Sequence, residues 1–346
     1  MFTHNFHKIS DILSNQKHHR ISFYCFYIFV GILLGNMWLD ILYILLGFVL
    51  LIKGGDFLVD GAVAIARRAN LSPMVIGLTI VGFGTSSPEL LVSIQAALGG
   101  SSGIALGNVV GSNIANIALI LGTAAIFRAC VVQKLTLKVD MPFLLFISAL
   151  FVGIAMSGTI SRVAGIIGFL LLCAFIVWEI KNYPADIQPE EEEKEPMAVW
   201  KALIVIILSF AALVYGSDKL VEGASNIARA LGVSDRIIGL TIVAVGTSLP
   251  ELFSSVAAAR KGQTDMAIGN VVGSAIFNIL CVVGISAAIT PIHDTNIGFL
   301  TDYICMISLS GLLWFFLATK QTLERWEGYA LVAIYISYIT FTVLAS

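Results

Sequence analysis

Two segments set 162 residues apart carry the same short constellation: Gly84-Thr85-Ser86-Ser87-Pro88-Glu89 and Gly246-Thr247-Ser248-Leu249-Pro250-Glu251. In each, a carboxylate follows a proline and a shared Thr-Ser pair inside a span that is otherwise apolar. Placing a carboxylate there costs roughly 2.5–3.5 kcal/mol on insertion scales. The two spans that hold the motifs, 73–98 and 237–259, contain no lysine to pair with either glutamate. A bound cation is the natural compensation, and the duplication suggests that both glutamates serve one site.

The backbone beside each glutamate points to the same chemistry. Pro88 has no amide hydrogen, so the Gly84 carbonyl loses its helical donor; Pro250 does the same to Gly246. With glycine permitting a bend, the carbonyls of Gly82, Thr85, Ala244 and Thr247 are also expected to turn inward. A hard cation accepts such oxygens: Ca²⁺ takes about six to eight of them at roughly 2.3–2.6 Å. Glu89 and Glu251 supply the charge that neutralises one Ca²⁺ or is shared among several Na⁺.

A second pattern repeats downstream, as Gly107-Asn108-Val109-Val110-Gly111-Ser112-Asn113-Ile114-Ala115-Asn116 and Gly269-Asn270-Val271-Val272-Gly273-Ser274-Ala275-Ile276-Phe277-Asn278. Ser112 and Asn116 are four apart and share a helix face, as do Ser274 and Asn278. They are candidates to line or complete the cation site, although glycines with interhelical polar contacts produce a similar pattern. Asn113 aligns with Ala275 and is given no symmetric role.

The elements that must position these residues are membrane helices. The chain is 58% hydrophobic and 12% charged, with a mean hydropathy of +0.93, outside the range of soluble domains. Its net charge of −2 gives no reason to expect nucleic acid as a partner. Ten apolar spans lie near 41–66, 73–98, 104–126, 140–157, 163–180, 199–228, 237–259, 266–288, 297–318 and 326–344. Each is long enough to cross about 30 Å of hydrocarbon at about 1.5 Å per residue. The first and sixth exceed that length, so tilt is expected. The fold class is therefore an all-α membrane protein with ten core transmembrane helices.

Sliding the second half over the first by 162 positions gives a gapless match from Gly54 to Gly122, with 37 of 69 aligned pairs identical. Asp56 falls on Asp218, Arg67 on Arg229, Glu89 on Glu251, Ser112 on Ser274 and Asn116 on Asn278. Each half holds an odd number of spans, so the second enters the membrane upside down. Inverted five-helix repeats meeting at the midplane are a transporter architecture. The repeats are assigned to 40–181 and 198–345, joined by an acidic linker at 182–197 with Glu190-Glu191-Glu192-Glu193.

Loop charges give an orientation. One set of loops holds Arg67, Arg68, Arg128, Lys134, Lys138, Lys181, Lys194, Lys201, Arg260, Lys261, Lys320 and Arg325; the alternate set holds Arg162, Arg229 and Arg236. By the positive-inside rule the first set, with the 182–197 linker, is cytoplasmic and the C-terminus lies outside. Residues 1–20 read as a polar, disordered tail, since His4, His7, His18 and His19 match no metal-site spacing. The apolar stretch 21–36 is either an eleventh helix or precedes a true start at Met37. Cysteines 25, 130, 173, 281 and 305 lack CxxC spacing and read as small buried hydrophobes rather than disulfides or zinc ligands. Asp56, Asp60, Asp218 and Glu222 lie beside Lys53 and Lys219, and pairing with those lysines is the expected role.

The paired GTSxPEL segments, each followed by GN-V-GS--N, resemble the signature repeats of the calcium/cation antiporter superfamily. More narrowly, they resemble its sodium/calcium exchanger branch in the bacterial form without a regulatory domain. The likeness covers about 40–345. It implies a multi-pass transporter of the inner cell membrane rather than an enzyme. Several Na⁺ would drive out one Ca²⁺ by alternating access, with no cofactor, no nucleic acid, no obligate protein partner and only the bilayer as host. Carried onto this chain, the calcium ligands would be Glu89 and Glu251 with the Thr85 and Thr247 carbonyls. The sodium positions would use the same glutamates with Ser86, Ser112, Ser248, Ser274 and the carbonyls of Gly82 and Ala244, and Asn116 and Asn278 would line the centre. Some exchangers carry an aspartate where one of these asparagines stands, which leaves potassium dependence and stoichiometry open. A Ca²⁺/H⁺ antiporter using the same glutamates is the alternative. An intramembrane aspartyl protease would need paired aspartates in YD and GxGD motifs instead.

Overall fold

A computed structural model describes residues 37–183, 197–233, 238, 242, 244–293 and 300–345. The tail at 1–20, the candidate span at 21–36 and residues 184–196 of the linker lie outside them. In hydrocarbon every backbone amide must be bonded within its own segment, so the apolar runs are helices. They are α1 (Met37–Ala69), α2 (Pro73–Thr85), α3 (Ser87–Leu98), α4 (Ser102–Phe127), α5 (Thr136–Met156), α6 (Arg162–Asn182), α7 (Val199–Ala230), α8 (Leu249–Arg260), α9 (Thr264–Ile289), α10 (Leu300–Lys320) and α11 (Arg325–Ala345).

Among the described residues, eight of these are long and apolar enough to cross a membrane. Counted as one broken span, the pair α2 and α3, bent by 46°, brings the number to nine. The tenth expected span is described in part, as the helical stretch Ala244–Gly246 followed by α8. α3 and α8 carry Pro88 and Pro250 in their first turn, where the missing amide is not needed, whereas Pro142 lies just past the π turn Thr136–Asp140 that opens α5.

The repeat is kept in the turns, including one, at Gly158, that lies outside the sequence match. The described residues with left-handed backbone fall into pairs: Asn70 with Gly232, Gly100 with Gly262, and Gly158 with Gln321. Their spacings are 162, 162 and 163 residues. Helical geometry also widens to π form at matching places, Ala115–Leu121 in α4 and Asn278–Val283 in α9. Such π turns recur at functional sites, and these two hold Asn116 and Asn278.

Four two-residue strands tie the halves together. β1 (Cys130–Val131) pairs antiparallel with β4 (Thr322–Leu323), and β2 (Thr159–Ile160) pairs with β3 (Ile292–His293). The loop after α4 therefore meets the loop before α11, and the loop before α6 meets the loop after α9.

Helices α4 and α9 form the centre. Their apolar windows are 78% and 83% buried, against 28% for α1 and α7 and 22% for α6 and α11, which face outward to lipid. Glycine lets α2 and α9 touch backbone to backbone. A Cβ on Gly77 would lie 2.5 Å from the Met266 carbonyl, and one on Gly273 would lie 2.5 Å from that of Leu78. The long helices α1 and α7 share a seam spaced by sevens: Gly223 meets Asp40, Gly216 meets Gly47, Gly54 meets Ser209, and Gly61 meets Ala202. Position rises along one helix as it falls along the other, so the two run antiparallel.

The peripheral charges depart in part from expectation. Lys219 pairs with Glu222 at 2.5 Å, as expected from spacing. Asp60 instead takes Lys261 from α8's end, at 2.6 Å, with the same ammonium donating to the Asp56 carbonyl. Lys261 lies 201 residues from Asp60, so no local spacing could reveal it. Of the four described cysteines, all free, Cys130 and Cys281 are buried and Cys305 is half-buried, whereas Cys173 is exposed and lines a cavity with Cys281, so it is not a core residue.

Candidate cation site

Both motifs break their helix at the same residue. Ser86 separates α2 from α3 with φ −83° and ψ 6°, and Ser248 precedes α8 with φ −94° and ψ 7°. Each glutamate then falls in the first turn of the next helix, where the unpaired amides favour a negative charge. Glu89 and Glu251 are each 1% exposed.

The motifs are interlocked. The Ser86 hydroxyl donates to Glu251 Oε1 at 3.0 Å, and the Ser248 hydroxyl donates to Glu89 Oε1 at 3.4 Å. Each half thus orients the carboxylate of the other. Ser112 also faces Glu89, and Thr85 faces Glu251. The two carboxylates lie close enough to feel each other's charge. Among the described residues, no ion pair reaches either glutamate.

Asparagines brace the backbone behind each acid. Asn108 donates to the Glu89 carbonyl at 3.0 Å and to Ser93 at 2.9 Å. Asn270 donates to Ser254 at 3.0 Å and Ser255 at 2.8 Å, with the Glu251 carbonyl at 3.4 Å. Thr85 Oγ1 donates to Asn270 Oδ1 at 3.3 Å, which links the first motif to α9. Sequence reasoning passed over Asn108 and Asn270 although both stand in the duplicated pattern. Their repetition was the available signal.

Asn113 was also missed, and its partner is the reason. It donates to the Ala275 carbonyl at 3.2 Å and accepts from Asn278 Nδ2 at 3.0 Å. The Asn278 amide nitrogen is thereby engaged, and its Oδ1 remains the free end. Ser274 lies 3.5 Å from the Gly82 carbonyl. That carbonyl also accepts the Ser86 amide at 3.0 Å, so it stays in the helical ladder rather than turning away from it. The Gly246 carbonyl freed by Pro250 accepts the Ser217 hydroxyl of α7 at 2.5 Å. The position matching Ser217 is Gly55, which has no hydroxyl, so the two breaks are not satisfied alike.

Four oxygens converge in chemical type. Among the described residues, Glu89 Oε2, Glu251 Oε2, Asn116 Oδ1 and Asn278 Oδ1 are buried and receive no hydrogen bond. A buried acceptor without a donor costs about 1–3 kcal/mol, more when charged. A donor set of carboxylate, amide and hydroxyl oxygens without sulfur or imidazole suits Na⁺ and Ca²⁺. Ala244 lies in the helical stretch leading to the second break, with Thr247 directly before Ser248.

Comparison with known proteins gives a consistent picture. A family model described as "Sodium/calcium exchanger protein" matches residues 39–181 and 201–344. The chain is 35% identical over 340 residues to the sodium/calcium exchanger MaX1 of Methanosarcina acetivorans, covering 87% of this chain and 97% of that protein. It is 34% identical to the inner membrane protein YrbG of Escherichia coli, over 77% of this chain and 85% of the relative. Among solved structures, the sodium-calcium exchanger NCX_Mj soaked with 10 mM Na⁺ and zero Ca²⁺ superposes with a TM-score of 0.77 at 35% identity. That match covers 88% of this chain and 99% of the other. With membrane helices, a buried oxygen site and relatives of this kind over most of its length, the chain belongs to the sodium/calcium exchanger family and is an integral membrane antiporter of cations.

Proposed function

We propose that the chain exchanges Na⁺ for Ca²⁺ at one site formed by Glu89 and Glu251, across the inner cell membrane. The observation that carries this reading is the set of four buried acceptors without donors, two of them carboxylate oxygens contributed by opposite halves. Ca²⁺ is held by both glutamates with the Thr85 and Thr247 carbonyls. Na⁺ uses the same carboxylates with Ser86, Ser112, Ser248, Ser274 and the carbonyls of Gly82 and Ala244. Asn116 and Asn278 line the centre as neutral amides, so two formal charges balance one Ca²⁺.

Overlap of the ligand sets couples the fluxes. Either cargo neutralises the glutamates, and the loaded site passes between the two exposures. Without cargo, two carboxylates in low dielectric resist that passage. The fold is read as ten helices in two inverted five-helix repeats at 40–181 and 198–345. Strand pairing supports the inversion, because each loop of one half meets the non-equivalent loop of the other. The antiparallel α1–α7 seam agrees. These helices are the moving pair. α7 touches both breaks, with Phe210 against Gly84 and Ser217 on the Gly246 carbonyl, so its displacement is felt at both glutamates. The loops rich in lysine and arginine, with the 182–197 linker, face the cytoplasm and the C-terminus lies outside.

Removing the crossing hydroxyls weakens the site unequally. A hydrogen bond to a charged group contributes about 1.5–3 kcal/mol, so Ser86→Ala should raise the calcium concentration for half-maximal uptake by about tenfold or more. Ser248→Ala, whose bond is longer, should have the smaller effect. Concentration dependence of isotopic calcium uptake into proteoliposomes reads both.

Imposed gradients test the coupling ion. A sodium gradient should drive calcium uptake, with potassium or proton gradients of equal size giving none. Uptake driven by protons alone would replace this reading with Ca²⁺/H⁺ exchange.

A further inference from the structure

Away from the glutamate pair, another group of acids is completely buried. Asp140 lies in the π turn that opens α5, and Glu179 lies near the end of α6; both are 0% exposed. Tyr183, which ends α6, donates its phenol hydrogen to Asp140 Oδ2 and stands 2.9 Å from Thr136 Oγ1. The Glu179 carboxyl lies against that of Asp140. Among the described residues, Asp140 Oδ1 and both oxygens of Glu179 are buried and receive no hydrogen bond.

Among the described residues, no ion pair reaches either acid. The ionisable groups that face one another here are Asp140, Glu179 and Tyr183 alone, among the described residues. From α10, Trp314 donates to the Leu137 carbonyl at 3.1 Å rather than to either acid. α9 and β2, also packed on α5, direct no charged side chain at the pair among the described residues. The matching helix start of the second half carries a lone aspartate, Asp302, which accepts from Tyr338 at 2.9 Å. The acid pair is therefore confined to the first half of the described structure.

Two ionised carboxylates in contact repel strongly once removed from water. A calcium or sodium ion would relieve this, but it needs about six oxygens. This pocket has six side-chain oxygens, but Asp140 Oδ2 and the hydroxyls of Tyr183 and Thr136 are already engaged in hydrogen bonds, which leaves the three without donors. A proton needs only two. We propose that Asp140 and Glu179 hold one proton between them, as a proton-binding site separate from the transport site that latches the end of α6 onto the start of α5. Loss of that proton sets two negative charges face to face, and their repulsion pushes the end of α6 off the start of α5 against the hold of the Tyr183 hydrogen bond.

Infrared difference titration of the full-length protein in liposomes tests this, together with hydrogen exchange of the amides at 179–183. The wild type should show the C=O stretch of a protonated carboxyl that disappears as pH rises, with exchange at the end of α6 increasing about tenfold over the same range. Asp302→Asn should keep the band. Glu179→Gln should lose it and hold exchange constant, since the amide donates permanently to Asp140. Tyr183→Phe keeps both acids but withdraws the donor that favours ionisation, so its band should persist to higher pH. Retention of the band in Glu179→Gln would overturn the proposal, as would an unchanged titration in Tyr183→Phe. Exchange that follows sodium or calcium concentration, without any carboxyl band, would assign the site to a metal ion and overturn it equally.

Discussion

Glu89→Gln and Glu251→Gln should each abolish sodium-driven calcium uptake while leaving the protein folded. Glutamine keeps the shape and one oxygen but removes half the charge that balances Ca²⁺. Breaking a buried charge pairing costs about 3–5 kcal/mol, on the order of 10²–10³-fold in calcium affinity. The two variants should be nearly equivalent, because the glutamates are equally buried and each is oriented by a serine of the other half. Isotopic uptake into proteoliposomes at matched protein density measures the loss. Thermal unfolding in detergent should show that each variant is as stable as the wild type without calcium, or more so, since each relieves repulsion between facing acids.

The second large effect belongs to the α2–α9 crossing. A Cβ on Gly273 would lie 2.5 Å from the Leu78 carbonyl oxygen, 2.6 Å from its Cα and 2.9 Å from its carbonyl carbon. All three are backbone atoms, so no side chain can move aside, and Gly273→Ala must part the helices. Overpacking of this kind costs about 1–3 kcal/mol. It also shifts Ser274, the next residue, away from the Gly82 carbonyl. Transport should therefore fall by about tenfold to a hundredfold, since small misplacements of ligands are expensive. Gly153→Ala is the control: nothing among the described residues lies within 4 Å of its Cβ, and both stability and uptake should be unchanged.

Much of this site was legible in the chain because it is written twice. The duplicated GTSxPE segments pointed to Glu89, Glu251, Ser86 and Ser248, and the helix breaks fall where proline and glycine placed them. Apart from the span at 237–259, which is described only in part, the apolar spans became helices within a few residues of their expected ends. What stayed hidden is mostly a matter of which helix faces which. Spacing along one helix says nothing of Ser86 reaching across 165 residues to Glu251, or of Lys261 finding Asp60. Likewise, Pro250 announces a freed carbonyl on Gly246, but not that Ser217 of another helix takes it. Asn113 escaped for a different reason. Symmetry guided the reading, and Asn113 works by breaking symmetry: its counterpart Ala275 offers only a backbone carbonyl, which Asn113 uses while holding Asn278.

The most direct measurement counts calcium ions bound per chain at equilibrium in purified wild type, in each single glutamine variant, and in the double variant. A shared site predicts one Ca²⁺ per chain, displaced by Na⁺, and lost in either single variant as completely as in the double. Two ions per chain, or binding that survives one substitution and disappears only with both, would mean that Glu89 and Glu251 act at separate sites.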